Sequence, residues 1–349
     1  MTSIILNWRD IAEDYQDNIL LGNGASIALS RQFQYEALLK KAREEGRIGE
    51  ELSVLFDYFD THNFELILTR LQHANAVNSA LKIDDEHSKK INQAYDRVRQ
   101  ALIETVLENH PKHGDVASHL DRIYETLKKF KTIVSLNYDL LIYWALMPHL
   151  NTEDGYEIKD CFLNGKFDCD FECLRKPRKE APESHCAILF YPHGNLLLAR
   201  NEDGQEEKLK AKSGLLKDIF QKWEDKDCTP LFISEGTSSE KTNARRSSEY
   251  LNTVYEQVLP KLEGSLVING WSMQEADEHI LKKITASKNI KKIALAIDKN
   301  KEAACLEKEQ FLKKHFGSEC DVVFFDRDSE GLVAKYKRCT DECGLGVLA

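Results

Sequence analysis

The amino-acid sequence predicts an α/β protein whose core is a doubly wound, mostly parallel, Rossmann-like sheet. Short apolar runs rich in β-branched residues alternate with helical patterns over the second half of the chain. Those runs are apolar at successive positions, as in strands that helices cover on both faces. Glycines or polar residues directly follow several of the runs, which is where ligands bind in sheets of this kind.

Composition narrows the classes of function. The chain has 349 residues, of which 42% are apolar, and a net charge of −10. Nucleic-acid binding needs a basic face, so no nucleic-acid partner is predicted. No apolar run approaches the ~20 residues that span a bilayer, so no membrane association is predicted. The first charged residue is Arg9, and the residues before it do not show a signal-peptide pattern. The nine cysteines are scattered along the chain. A cytoplasmic protein with reduced thiols is expected.

The first part of the chain contains one strand and a long helical block. A strand at 17–22 leads into a helix from Ser26 to about Arg43. Between residues 50 and 131 there is one proline, and apolar residues recur at i, i+3 and i+4, which predicts three or four helices. A βα unit normally returns to its sheet sooner than this. We therefore predict a helical insertion over residues 47–131.

The middle of the chain returns to the sheet. The β-branched run Thr132–Leu136 predicts a strand, and Leu140–Met147 predicts a helix. Residues 150–186 hold four cysteines, two glycines, two prolines and dense charge, which predicts a small irregular insertion lobe. Ala187–Tyr191 is predicted as the next strand, with Asn195–Ala199 running back beside it as a hairpin.

Regular alternation follows, so one α/β domain over residues 1–349 is predicted, interrupted by the insertions. The predicted parallel strands are Pro230–Ser234, Ser265–Asn269, Lys292–Ile297 and Asp321–Phe325, and the predicted helices are Asn243–Leu259, Gln274–Ser287, Lys301–His315 and Ser329–Lys337. The loop 236–239, with Arg245 and Arg246 behind it, could lie over the edge of the sheet where ligands bind, but an ordinary exposed loop is the favoured interpretation.

A glycine turn, Gly22-Asn23-Gly24-Ala25-Ser26, follows the first strand. Its two glycines match part of the dinucleotide-binding fingerprint, but the third glycine is absent. As a ligand site, the glycines would admit a pyrophosphate to backbone N–H groups, with the Ser26 hydroxyl as a further donor. The alternative is a tight strand–helix turn without a ligand.

Three further motifs stand at the carboxyl ends of predicted strands: Asn137-Tyr138-Asp139, His193-Gly194 and Gly270-Trp271-Ser272. Each has a structural alternative, namely a helix cap, a buried histidine and a capped turn. Asp277, on the helix after the last motif, could equally be an exposed charge of a first helical turn. Histidine titrates near neutral pH and can act as a general base. Because parallel strands end at one edge of their sheet, the motifs are predicted to share one crevice.

The order of these four motifs resembles the sirtuin superfamily, and more closely its bacterial sirtuin-like branch, in which the second motif reads Asn-Tyr-Asp and the fourth reads Gly-aromatic-Ser with an aspartate soon after. The resemblance implies a sirtuin-like fold and cleavage of the nicotinamide–ribose bond of NAD, giving nicotinamide and ADP-ribose. It implies that Asn137 holds the water or the ribose hydroxyls, that His193 is the general base, and that Asp139 lies near the nicotinamide. The implied NAD-binding residues are Gly22, Asn23, Gly24, Ala25, Ser26, Tyr138, Gly270, Trp271, Ser272 and Asp277.

Deacylating sirtuins carry a structural zinc held by two CxxC pairs, and this sequence contains no CxxC. We therefore expect no metal, and Cys161, Cys169, Cys173 and Cys186 are interpreted as incidental thiols. The zinc-free branch is associated with NAD hydrolysis in bacterial anti-phage defence, so NAD is expected as the substrate. Two alternatives stay open: a non-catalytic sensor of NAD or ADP-ribose, and an NAD-dependent protein deacylase. Because a free NAD hydrolase would be toxic, control by homo-oligomerisation or by a regulatory protein partner is expected.

Overall fold

A computed structural model describes residues 4–30, 38–83, 85–150, 155–177, 185–201, 203–209, 216–225, 228–233, 238–246 and 248–329. In this part of the chain the strands are β1 (Ile5–Leu6), β2 (Asn18–Leu21), β3 (Thr132–Ser135), β4 (Tyr156–Lys159), β5 (Phe162–Leu163), β6 (Lys166–Phe167), β7 (His185–Phe190), β8 (Gly194–Arg200), β9 (Glu206–Lys208), β10 (Thr229–Phe232), β11 (Gly264–Asn269), β12 (Ile290–Ile297) and β13 (Asp321–Asp326).

The main sheet has eight strands in the order β1-β13-β12-β11-β2-β3-β7-β4, and every neighbouring pair is parallel. Successive residues of the central strand β2 pack on opposite faces: Ile19 and Leu21 join one apolar cluster, and Leu20 joins the other. This accounts for the unbroken apolar runs, because both faces of the sheet are covered. The predicted α/β class with a Rossmann-like, doubly wound parallel sheet is confirmed.

The α-helices of the described residues are α1 (Trp8–Ile11), α2 (Asn23–Ile27), α3 (Leu38–Glu44), α4 (Glu50–Tyr58), α5 (Phe64–Leu81), α6 (Asp85–Asn109), α7 (His113–Leu127), α8 (Leu141–Leu146), α9 (Phe171–Leu174), α10 (Leu216–Asp225), α11 (Ser238–Arg246), α12 (Glu249–Thr253), α13 (Glu278–Thr285) and α14 (Cys305–Phe316). Helices α4 to α7 occupy the stretch between β2 and β3 in which helices were predicted. None of the described helices combines the length and apolarity needed to cross a membrane.

A second, antiparallel sheet has the strand order β10-β8-β9-β6-β5. Strand β10 was predicted to be parallel in the main sheet, and β8 was predicted to pair with β7; both predictions are wrong, because β10 pairs antiparallel with β8. Gly194 explains the departure of β8 from the main sheet. Its φ is +73°, and its backbone lies so close to Leu231 that a Cβ would be 2.1 Å from the Leu231 carbonyl oxygen.

Two other predictions need correction. The stretch 150–186, expected to be irregular, supplies the edge strand β4 of the main sheet and strands β5 and β6 of the second sheet. The helix predicted from Ser26 to about Arg43 is interrupted, since α2 ends at Ile27 and turn residues follow. Of the predicted helix Ser329–Lys337, only Ser329 lies within the described residues, where it forms a bend.

Candidate functional site

The turn after β2 crosses the turn after β11, and the two backbones are in direct contact. A Cβ on Gly22 would lie 2.6 Å from the carbonyl oxygen of Gly270, and a Cβ on Gly24 would lie 2.8 Å from the same atom. Gly270 has a φ of +73°, and a Cβ there would lie 2.0 Å from the nitrogen of Ala25. The three glycines are therefore required by this crossing of two loops, whether or not a ligand binds.

The same crossing uses the backbone donors of the glycine turn. The N–H of Gly22 donates to the carbonyl of Asn269 at 2.9 Å, and the N–H of Gly24 donates to Gly270 at 2.8 Å. The N–H of Ala25 donates to the Gly22 carbonyl at 3.0 Å. These three N–H groups already have acceptors within the protein, so the expected cradle of backbone donors for a pyrophosphate is not offered by them.

The side chain of Asn137 is held against the glycine turn by hydrogen bonds from its amide nitrogen. Its Nδ2 donates to the Gly22 carbonyl at 3.1 Å and to Ser26 Oγ at 3.0 Å. The amide oxygen Oδ1 is buried and accepts no hydrogen bond from any described residue. A buried amide oxygen normally has a donor. An unsatisfied one on a cavity wall is a candidate contact for a ligand.

Asp139 lies behind Asn137 and Ser26 and does not line the cavity. The Ser26 hydroxyl donates to Asp139 Oδ2 at 2.7 Å, and the Leu141 N–H donates to Oδ1 at 2.9 Å. Burial raises the pKa of Asp139 to about 6, although both hydrogen bonds act to lower it. Asp139 reaches the cavity wall through Ser26, which Asn137 also contacts.

The four motifs surround one cavity of about 430 Å³ at the carboxyl ends of the parallel strands. Its volume is in the usual range for small-molecule sites. All the residues predicted for the site line this cavity except Ala25, Ser26 and Asp139, which lie beneath its wall. The lining residues within the described part of the chain are Gly22, Asn23, Gly24, Ile27, Leu136, Asn137, Tyr138, His193, Ile233, Lys241, Gly270, Trp271, Ser272 and Asp277.

His193 is buried among other titratable groups. Its Nε2 is 3.3 Å from Nε2 of His279 and 4.0 Å from Oδ1 of Asp277. Burial lowers the pKa of His193 well below its ordinary value, and the Lys241 ammonium lowers it further. Asp277 acts in the opposite direction without reversing the shift. His193 is thus uncharged at neutral pH, with the lone pair a proton acceptor needs.

Asp277 connects the β11 turn to helix α11. Its Oδ1 accepts from Lys241 Nζ at 2.7 Å, and its Oδ2 accepts from Trp271 Nε1 at 3.1 Å. Burial acts to raise the pKa of Asp277, but the Lys241 ammonium and the Trp271 N–H outweigh it and hold the pKa below its ordinary value. Its side chain is only 19% exposed, so the alternative of a solvated helix charge is wrong.

Sequence reasoning missed Lys241, which reaches the site from helix α11. Lys241 lines the cavity, and Ser238 Oγ lies 3.2 Å from Nδ1 of His279, behind His193. Of the predicted exposed loop 236–239, residues 236 and 237 lie outside the described residues and Ser238 begins α11, while Arg245 behind it is buried with its guanidinium 3.5 Å above the Tyr255 ring. The available signal was weak: a lysine and a serine one helical turn apart in a very polar helix.

Comparison with known proteins gives one family. Residues 19–333 match the family described as a domain of unknown function (DUF4917). That description names no sirtuin, so the resemblance in the motifs stays a prediction. Among curated proteins there is no significant match. Within the described residues, no three His, Cys, Asp or Glu side chains are grouped so as to hold a metal ion. Because the family match covers most of the chain, this protein belongs to the DUF4917 family.

Proposed function

We propose that the protein hydrolyses NAD at the nicotinamide–ribose bond, giving nicotinamide and ADP-ribose. One observation carries the proposal: Asn137, whose buried amide oxygen accepts no hydrogen bond from a described residue, and His193, whose imidazole is uncharged, line the same cavity. These are the two groups that this chemistry needs, an oriented neutral acceptor and a base. The order of the motifs around the cavity supports NAD as the substrate.

The reaction needs little acid catalysis, because the nicotinamide ring of NAD is a cationic pyridinium that takes the electron pair of the broken C–N bond and departs as neutral nicotinamide. A water molecule forms the new C–O bond at the ribose carbon and loses one proton, for which His193 is the acceptor. The Oδ1 atom of Asn137 accepts a hydrogen bond from that water or from a ribose hydroxyl. Its orientation is set beforehand, since both amide hydrogens are held by Gly22 and Ser26.

The test is release of nicotinamide by the purified protein supplied with NAD. Asn137→Ala and His193→Ala are each expected to lower the rate by about 100-fold or more, the usual effect of removing a positioned acid–base group. His73→Ala, an exposed histidine of helix α5, is the matched control and is expected to keep the wild-type rate. A wild-type protein that releases no nicotinamide, or two site variants with full activity, would overturn the proposal.

A second candidate is a sensor that binds NAD or ADP-ribose without cleaving it. The contact between His193 and His279 favours this candidate, because it engages Nε2 of the only histidine on the described cavity wall. Burial also makes His193 a weak base. Calorimetry with ADP-ribose separates the two functions: tight binding by a protein that releases no nicotinamide supports the sensor.

A further inference from the structure

Lys241 is the only cationic side chain among the described residues that line the cavity. It lies on helix α11, is 8% exposed, and its Nζ is 2.7 Å from Oδ1 of Asp277. A buried ammonium needs a negative partner, and Asp277 is that partner here. A dinucleotide would bring a second one, because its pyrophosphate carries two negative charges.

Three backbone donors of the glycine turn are not available to a phosphate. The N–H groups of Gly22, Gly24 and Ala25 already donate within the protein. Anion recognition needs donors that become available to the ligand, and a lysine on a flexible stem provides them.

The arrangement around Asp277 links this cation to His193. Oδ1 of Asp277 is 2.7 Å from the Lys241 ammonium and 4.0 Å from Nε2 of His193. Oδ2 is held in place by the Trp271 indole. If the Lys241 ammonium moved from Asp277 to a bound phosphate, the Asp277 carboxylate would stay beside the imidazole of His193. A protonated His193 would then be the nearest cation to that carboxylate.

We propose that Lys241 recognises a phosphate group of the bound nucleotide, and that its move from Asp277 to the phosphate leaves Asp277 to pair with His193. Phosphate binding thereby switches His193 from a weak base to an effective one. The proposal rests on the proposed nucleotide site, but it does not require that NAD be cleaved.

The charged and titratable groups around His193 define the direction of the switch. Lys241 of α11 and His279 of α13 disfavour its protonation, and Asp277 favours it. Behind His279 lie the ring of Tyr255 and, on that ring, the guanidinium of Arg245. Of these groups, Lys241 is the cation on the cavity wall, so an anionic ligand reduces its opposing effect first. The pKa of His193 is therefore expected to rise when phosphate binds.

The experiment is an NMR titration of the full-length protein labelled with ¹³C at histidine, with and without inorganic pyrophosphate as the probe. The His193 signal is assigned by its loss in His193→Asn. In the wild type, pyrophosphate is expected to raise the pKa of His193 by about one pH unit or more, the usual effect of an opposite charge at this distance. In Lys241→Met, that pKa is expected to be raised already and to be insensitive to pyrophosphate.

Two further variants make the result specific. Lys241→Arg keeps the charge and is expected to keep the response. Lys282→Met removes an exposed lysine of the neighbouring helix α13 and is expected to behave as the wild type. If pyrophosphate does not change the pKa of His193 in the wild type, the proposal is overturned without any variant. It is also overturned if pyrophosphate raises this pKa in Lys241→Met as much as in the wild type. If pyrophosphate acts as expected but no nicotinamide is released from NAD, only the hydrolase proposal fails.

Discussion

His110 and His193 are equally buried histidines in very different surroundings, being 5% and 4% exposed. His110 Nδ1 is 2.8 Å from the carbonyl oxygen of Pro111, and the N–H of Leu140 donates to its Nε2 at 3.2 Å. Its ring bridges the end of α6 and the start of α8. His193 instead lines the cavity and meets His279, Asp277 and Lys241.

Burial lowers the pKa of both histidines, that of His110 to about 4. A perturbed pKa therefore does not by itself distinguish a functional histidine from a structural one. The partners of the ring nitrogens do: backbone groups contact both ring nitrogens of His110, whereas His193 has one backbone partner, the Leu136 carbonyl, and its Nε2 faces His279 and Asp277.

The largest expected difference between the two histidines is in stability. His110→Ala removes a buried ring and leaves the Leu140 N–H without its acceptor, so the free energy of unfolding is expected to fall by about 4 kcal/mol. His193→Ala opens onto a cavity that water can fill, so a loss below about 2 kcal/mol is expected. Urea unfolding measures both values.

The effects on activity are expected to be reversed. Folded His193→Ala should release almost no nicotinamide, whereas folded His110→Ala should remain active. A His193→Ala protein that is the less stable of the two would remove the basis of the comparison.

The next effect is on acid stability. The pKa of His110 lies near 4 in the folded protein and near its ordinary value of 6.5 in the unfolded chain. Between these values the unfolded chain binds a proton that the folded protein does not, so stability is lost as the pH falls below 6.5. His110→Gln should therefore lose about 2 kcal/mol less than the wild type between about pH 7.5 and pH 5. His73→Gln is the control, and an unchanged acid loss in His110→Gln would contradict the assignment.

The smallest effect tests the support beneath Asn137. Asp139 accepts hydrogen bonds on both oxygens, and Asn at this position offers only one acceptor, so the Ser26 hydroxyl loses its partner. Asp139→Asn is expected to lower nicotinamide release by about tenfold, the effect of one lost hydrogen bond to a charged group.

Since the pKa of Asp139 is raised to about 6, protonation below that pH removes the same acceptor in the wild type. Release should therefore fall as the pH drops through about 6, and this acid limb should be absent from Asp139→Asn. The same limb in both proteins would assign it to another group.

Local sequence patterns determined the class of fold and the places where functional side chains occur. The runs around Ile19, Ile133 and Val267 are apolar on both faces because helices cover the sheet, and this signal is local. Polar or glycine residues at the ends of these runs predicted one crevice, since parallel strands end at one edge. That rule brought Asn137, His193 and Gly270 to one cavity without any knowledge of their distances.

Only the tertiary structure decided what each of these residues does. Gly24 and Gly270 are required by a crossing of loops that lie far apart in sequence, and no local pattern encodes that distance. The same holds for the hydrogen bond from Ser26 to Asp139, which are 113 residues apart, and for the pairing of Lys241 with Asp277. Strand β10 belongs to the second sheet and not to the main sheet because it pairs with β8. Periodicity reports which face of an element is buried, whereas the partner on that face is chosen by the packing of the whole chain.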